Sequence, residues 1–247
     1  MSDRLRIDDA VRAYGPATGV LGVSLRVEPG LVHALVGLNG AGKTTLMRAT
    51  LGMIRLDSGS VRIGGVPVGR MPASAWAGVG HLIDSPFAYP ELSVRANLEV
   101  AARLRGLSAR AAPEAVDAAV DGMGIARYER TRASRLSKGN RQRLGLAAAL
   151  VADPDLMILD EPTDALDPAG VIALRETLRE RADRGAGVLV SSHHLDEVAR
   201  IADRISVMNR GRIVGTLDRT GAELERSFFE LVLRDDERRA EDVGGES

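Results

Sequence analysis

No cysteine occurs among the 247 residues, so disulfides, thiolate chemistry and Cys-ligated zinc are excluded. No sign of charge dominates: 33 Lys plus Arg against 34 Asp plus Glu give a formal charge of −1. That balance argues against a broad electrostatic footprint for nucleic acid or anionic lipid. No apolar stretch approaches the ~18 residues needed to cross a bilayer. The longest candidate, Leu144 to Ala152, stops at Asp153. The start, Met1 to Asp9, lacks the apolar core of a secretory signal. The chain is therefore expected to be soluble by itself. Lysine is almost missing, with Lys43 and Lys138 as the only two, and Gln142 is the single glutamine. A base-composition bias towards arginine accounts for the skew, yet it makes each surviving lysine worth locating.

What is present is ample apolar material. A 45% apolar chain of this length builds one large α/β domain, or one domain with a modest insertion. Residues 20–36 alternate as short strands broken at Glu28-Pro29-Gly30, and Leu31 to Val36 reads as a buried strand ending at Gly37. Helical spacing follows from Lys43 to about Gly52, and residues 57–70 read as a hairpin. Residues 91–130 are Ala- and Arg-rich with helical periodicity, interrupted at Gly106 and Pro113, and read as a helical insertion. Helix is expected over 136–152, 168–184 and 194–202, with strands at 155–160, 187–191 and around 204–215. This alternation predicts a mainly parallel sheet covered by helices, with an N-terminal antiparallel β part and a helical subdomain at about 85–150. Residues 1–232 form the single domain on this reading, and 233–247 are left as a disordered tail.

Between a buried strand and a helix stands Gly37-Leu38-Asn39-Gly40-Ala41-Gly42-Lys43-Thr44-Thr45. It fits G-x-x-x-x-G-K-[ST] at every fixed position. Glycines let successive backbone N–H groups face inward as an anion nest, and the next helix aims its positive N-terminus at the same phosphates. Lys43 supplies a compact ammonium for the β- and γ-phosphate oxygens, a task unsuited to a planar guanidinium. The Thr44 hydroxyl is a candidate Mg²⁺ ligand. Further on, the apolar run Leu156 to Leu159 ends in Asp160-Glu161. Such carboxylates emerge at the edge of a parallel sheet where ligands bind. Asp160 is placed to hold Mg²⁺ from outside its first ring of ligands or through water, and Glu161 to deprotonate or orient the attacking water. Both motifs together specify a P-loop nucleoside triphosphatase.

The segment Leu136-Ser137-Lys138-Gly139-Asn140-Arg141-Gln142-Arg143 narrows the class. It resembles the LSGGQ signature of ATP-binding-cassette ATPases, with Lys138 for the first of the paired glycines and Asn140 for the glutamine. The resemblance covers about residues 5–232. It implies a head-to-tail dimer, homo- or heteromeric, in which Ser137, Lys138, Gly139 and Asn140 close over ATP held by the other subunit. It implies that Tyr14 stacks on adenine, that Asp164 to Asp167 form the loop spanning the dimer interface, and that His193 contacts the γ-phosphate. His194 is then a surface neighbour, and His33 and His81 are structural. The family normally has a glutamine where Asp84 stands here, so Asp84 joins Thr44 and Asp160 as an expected metal ligand. The acidic residue followed by Pro86-Phe87-Ala88-Tyr89-Pro90 is similar to the bacitracin-resistance and lantibiotic-immunity branch.

From this resemblance follow ATP and Mg²⁺ as ligands, an ATPase driving export, and membrane-spanning permease subunits bound around residues 84–100. The chain would sit in the cytoplasm on the inner face of the cell membrane, with no nucleic-acid partner. A cassette protein uncoupled from transport is the alternative. Against it stand the single cassette, the lack of a heptad arm and the lack of a basic patch. A kinase or GTPase would give the signature, Asp167 and His193 no role.

Overall fold

The computed structural model describes residues 2–15, 18–218 and 223–244. In chain order the first half comprises β1 (Leu5–Gly15), β2 (Thr18–Val27), β3 (Val32–Val36), α1 (Lys43–Thr50), β4 (Ser58–Ile63), β5 (Val66–Pro67), β6 (Val79–Leu82), α2 (Val94–Leu104) and α3 (Ala112–Gly122). The second half comprises α4 (Lys138–Leu150), β7 (Leu156–Leu159), α5 (Pro168–Asp183), β8 (Gly187–Ser192), α6 (Leu195–Ala199), β9 (Arg204–Asn209), β10 (Arg212–Leu217) and α7 (Leu224–Gly244).

Two sheets result. The larger runs β10-β9-β3-β8-β7-β6, parallel throughout except where β10 turns back against β9. Every residue of β3, β7 and β8 is buried. Strands covered on both faces read as continuous apolar runs, which is why these three were visible as short blocks without alternation. The smaller sheet, β2-β1-β4-β5, is antiparallel and packs its inward face, including Leu5, Ile7 and Val23, in one cluster with Leu35, Ile158 and Leu189 of the larger sheet.

Between β6 and β7 the chain builds a helical layer. Ser93 caps α2 by accepting from the Ala96 N–H at 3.1 Å, and the helix buries Val94, Leu98 and Ala102. Pro113 does not interrupt a helix; it lies in the first turn of α3, where its missing N–H costs nothing. The strand β6 carries only four residues, of which Gly80 and His81 dilute the apolar signal, so periodicity gave no sign of it.

The tail differs from the sequence expectation. Helix α7 spans Leu224–Gly244 and so takes in residues 233–244, which the sequence reading left as a disordered tail. Phe228 and Val232 are buried against the core, each burial contributing about 1.5–3 kcal/mol. Asn209 Nδ2 donates to Asp235 at 2.9 Å and to Asp236 at 3.1 Å, and Asp235 pairs with Arg239 one turn on. The charge-rich composition that reads as fraying is therefore spaced for helical pairing. Residues 245–247 lie outside the described residues.

Candidate active site

Parallel strands in register deliver their following residues to one edge. Leu35 pairs with Ser191, Val36 with Ser192, and Leu82 with Leu159. Gly37, Asp84, Asp160 and His193 therefore leave the sheet together at its carboxyl side.

The loop 37–42 enters α1 without a side-chain cap and with no acid in the first helical turn. Helices α2, α4 and α5, by contrast, are capped by Ser93, Ser137 and Asp167. The uncapped N–H groups and positive end of α1 are thus left for an external anion. Gly42 is required by shape as well as by conformation: φ is 106°, and a Cβ there would lie 2.3 Å from the Gly19 carbonyl oxygen. Tyr14, Thr18, Gly19, Gly40, Thr45 and Glu161 are among the residues bordering a cleft of about 300 Å³ over this loop. Tyr14 is 56% exposed at its rim, with the Arg12 guanidinium 5.0 Å from the ring centre. A ring so exposed is free to stack.

Inside the cleft the charged groups form one network. Lys43 Nζ donates to the Gly37 carbonyl at 2.7 Å and lies 3.4 Å from Glu161 Oε1. Glu161 Oε2 accepts from the His193 backbone N–H at 3.2 Å and is 2.9 Å from His193 Nδ1. A carboxylate oxygen accepts, so Nδ1 is the donor in this pair. Glu161 sits at φ 44°, a left-handed conformation costing of order 1–3 kcal/mol in a non-glycine residue. It is held there by Ser191, whose hydroxyl accepts from the Glu161 N–H at 2.9 Å and donates to Asp160 Oδ1 at 2.5 Å. The Thr44 hydroxyl donates to the other Asp160 oxygen at 2.6 Å. Thr44 and Asp160 offer oxygen alone, the donor set a hard divalent cation prefers, so these two residues fit Mg²⁺.

The structure brings Lys43, Thr44, Asp160, Glu161 and His193 together as a unit, whereas Asp84 stands differently. Its carboxylate receives both Arg48 Nη2 at 2.5 Å and Nε at 3.1 Å, and no hydrogen bond joins it to Thr44 or Asp160 among the described residues. That contact holds the Arg48 guanidinium above its ordinary pKa. Asp167 caps α5 by accepting from Gly170 N–H at 2.9 Å and also pairs with Arg143. The cap first, and Arg143 second, hold the Asp167 carboxyl below the usual range.

The signature helix is tied to the same edge. Gln142 Nε2 donates to the Pro162 carbonyl at 3.1 Å, just past Glu161. A Cβ on Gly139 would lie 2.5 Å from the Ala165 carbonyl oxygen, so only glycine lets α4 approach that loop. Ser137 caps α4 through the Asn140 N–H at 3.2 Å, and Lys138 projects into solvent. Asp164, His193 and His194 bring ligand-type atoms within 4.8 Å of one another at the surface. Sequence reading missed Ser191 and Arg48 as members of the site. The serine stands two residues before His193, and its strand-end position level with Asp160 was the available signal.

Comparison with known proteins places the chain among the ATP-binding cassettes. The ABC transporter family profile matches residues 20–164. The daunorubicin resistance ATP-binding protein DrrA3 of Streptomyces coeruleorubidus is 36% identical over 233 residues, covering 94% of this chain and 74% of that protein. The bacitracin transport ATP-binding protein BcrA of Enterococcus faecalis is 36% identical over 211 residues, 85% of this chain and 68% of BcrA. The lantibiotic transport ATP-binding protein SrtF of Streptococcus pyogenes is 33% identical over 230 residues, 93% of this chain and 97% of SrtF. A solved ATP-binding subunit of an ABC transporter superposes with a TM-score of 0.81 at 28% identity, covering 92% of this chain and 94% of that one.

Proposed function

The chain belongs to the ABC transporter family, and from that premise we propose that it is the ATP-hydrolysing subunit of an exporter for drug- or peptide-like compounds. The family membership makes it an ATPase. The relatives named for daunorubicin resistance, bacitracin transport and lantibiotic transport support the exporter reading. The observation that carries the catalytic assignment is the continuous network Lys43–Glu161–His193 beside Thr44–Asp160.

In this reading ATP lies along the loop 37–45 with its adenine against Tyr14. Lys43 and the α1 N–H groups neutralise phosphate charge. Glu161 takes the proton of the attacking water, and His193 fixes the Glu161 carboxylate from the other side. Thr44 and Asp160 would hold Mg²⁺, which when bound shields the β- and γ-phosphate oxygens. Two cassettes, identical or not, pack head to tail so that Ser137, Lys138, Gly139 and Asn140 of one reach the nucleotide of the other. Asp164 and Asp167 lie along that interface.

Export requires a membrane-spanning partner, because no helix among the described residues is long and apolar enough to cross a membrane. We place that partner against residues 84–100. Phe87 is 76% exposed and Tyr89 37%, packed edge to face at 5.2 Å between ring centres. The chain then sits at the inner face of the cell membrane. Two measurements test the proposal. The purified chain should release phosphate from ATP only with Mg²⁺ present, and failure to do so overturns the ATPase assignment of this site. Detergent-solubilised membranes should yield the chain bound to a multi-span protein, and recovery without one overturns the exporter reading.

A further inference from the structure

Two of the chain's four histidines stand side by side just past β8, and both are exposed. The His193 and His194 rings lie 4.0 Å apart between centres, tilted by 40°. On the loop after β7 Asp164 is exposed as well. One ligand-type atom from each of the three lies within 4.8 Å of the others. No cation of the chain pairs with the Asp164 carboxylate among the described residues. Glu161 supports the group from one side: its Oε2 accepts from His193 Nδ1 at 2.9 Å and from the His193 backbone N–H at 3.2 Å. A carboxylate on one ring nitrogen fixes the imidazole and leaves the other nitrogen, here Nε2, open to a metal.

Two imidazoles and one carboxylate suit a borderline divalent ion such as Zn²⁺, which takes three protein ligands and keeps a fourth place for water. Mg²⁺ prefers oxygen alone, so the Thr44–Asp160 pair and this cluster sort the two kinds of metal. Tetrahedral zinc needs its donors about 3.3 Å apart. Any closing from 4.8 Å falls to exposed side chains, which can change rotamer. Resting on the hydrolytic reading above, we propose that Asp164, His193 and His194 form an inhibitory site for Zn²⁺ or a similar borderline divalent cation. The bound ion occupies the imidazole that hydrolysis uses. It withdraws electron density from the ring, so Nδ1–H holds Glu161 more tightly and leaves it a weaker base. It also ties Asp164 to the histidines of its own chain, at the face proposed to meet the second cassette.

The test starts with the metal alone. Calorimetric titration of the nucleotide-free chain should show one Zn²⁺ per chain, not displaced by excess Mg²⁺. Co²⁺ in its place should give the visible absorption of a four-coordinate site. His194→Asn and Asp164→Asn should each weaken zinc binding about ten-fold or more, with circular dichroism confirming that both variants fold. ATP hydrolysis is then followed at free Zn²⁺ fixed by a metal buffer, because ATP itself chelates the ion. Zinc should suppress turnover of the parent chain about five-fold and leave His194→Asn unaffected, and without zinc that variant should match the parent within about two-fold. Absence of stoichiometric binding, or equal binding by the parent and both variants, overturns the site and leaves the hydrolytic reading standing. Binding at the three residues without suppression overturns the inhibitory role. A zinc-free parent that hydrolyses no ATP overturns the hydrolytic reading and the inhibitory role with it, while the titration still decides the site.

Discussion

The nucleotide edge and the cleft beside β6 flank the same sheet, and they differ in how their charges are settled. At the nucleotide edge Lys43, Asp160 and Glu161 each find partners within the chain: Glu161 bridges Lys43 and His193, and Asp160 bridges Thr44 and Ser191. Beside β6 the enclosed Arg105 has, among the described residues, a backbone carbonyl and no carboxylate as partner, and Phe87 and Leu104 face outward. Catalysis rewards groups that are oriented before the substrate arrives, because fixed dipoles need no reorganisation during the reaction. Docking rewards the opposite, since a surface already satisfied internally has little to gain from a partner. The contrast fits the proposal that the first site works by preorganisation and the second is completed by another chain.

The largest expected effect lies at the first of these. Lys43→Ala removes the only ammonium in the cleft and should abolish measurable nucleotide binding, read by fluorescent ATP titration. Retained binding would mean that the loop N–H groups alone hold the phosphates. Next comes Glu161→Gln, which keeps the shape and loses the base. Phosphate release should fall by ~10²–10⁴-fold while ATP binding persists, and an ATP-bound dimer should accumulate on size-exclusion chromatography. Unchanged phosphate release in this variant would remove Glu161 from its assigned role.

How legible each edge was in the sequence follows from the same contrast. The phosphate loop and the Asp160-Glu161 pair were readable because anion nests and strand-end carboxylates need particular residue types at fixed spacing. The buried strands β3, β7 and β8 were readable as unbroken apolar runs. Ser191 was not, because a serine that orients two acids through a parallel register looks locally like any strand end. Nor was the Arg48 bond to Asp84, which joins α1 to the segment after β6 and has no local signature. The Arg105 environment depends on α2 lying against β6 and α4, so nothing near residue 105 announces it. Helix α7 was hidden for a different reason: its stability rests on Phe228, Val232 and the Asn209 contacts rather than on composition.

A histidine and an aspartate sharpen the comparison at intermediate size. His33 on β3 is buried with both nitrogens bonded, Nδ1 donating to the Arg26 carbonyl at 2.8 Å and Nε2 accepting from Ser206 at 2.9 Å. Burial is the main cause that lowers its pKa from 6.5 to about 4. The unfolded chain therefore takes up a proton first. The contribution of neutral His33 is complete above about 6.5, and it is lost as pH falls towards about 4, amounting to about 3 kcal/mol. Thermal melts across that window should show a steep acid loss in the parent protein and a flatter profile in His33→Gln. Equal profiles would place the acid sensitivity elsewhere. Asp84→Ala probes the residue between the two regions. Its exposed pair with Arg48 contributes at most about 1 kcal/mol to folding stability. Mg²⁺-dependent turnover should fall more than ATP affinity does. A wild-type Mg²⁺ titration and turnover would keep Asp84 out of the metal site.

The smallest effect on hydrolysis is expected from Phe87→Ser, and its smallness is the point. Phe87 is 76% exposed and touches Tyr89, so replacing it sacrifices little packing within the chain, within about 0.5 kcal/mol for a surface change. None of the groups in the Lys43–Glu161–His193 network contacts it, and ATPase activity of the purified chain should stay within about two-fold. An exposed aromatic that anchors a partner behaves otherwise once the partner is present. Truncating such an anchor weakens binding by on the order of ten-fold or more, so recovery of the membrane protein with the Phe87→Ser chain should drop while its isolated turnover does not. A variant that lost turnover in isolation would show that the two clefts are one functional unit, and the distinction between a preorganised site and a completed one would fail at this residue.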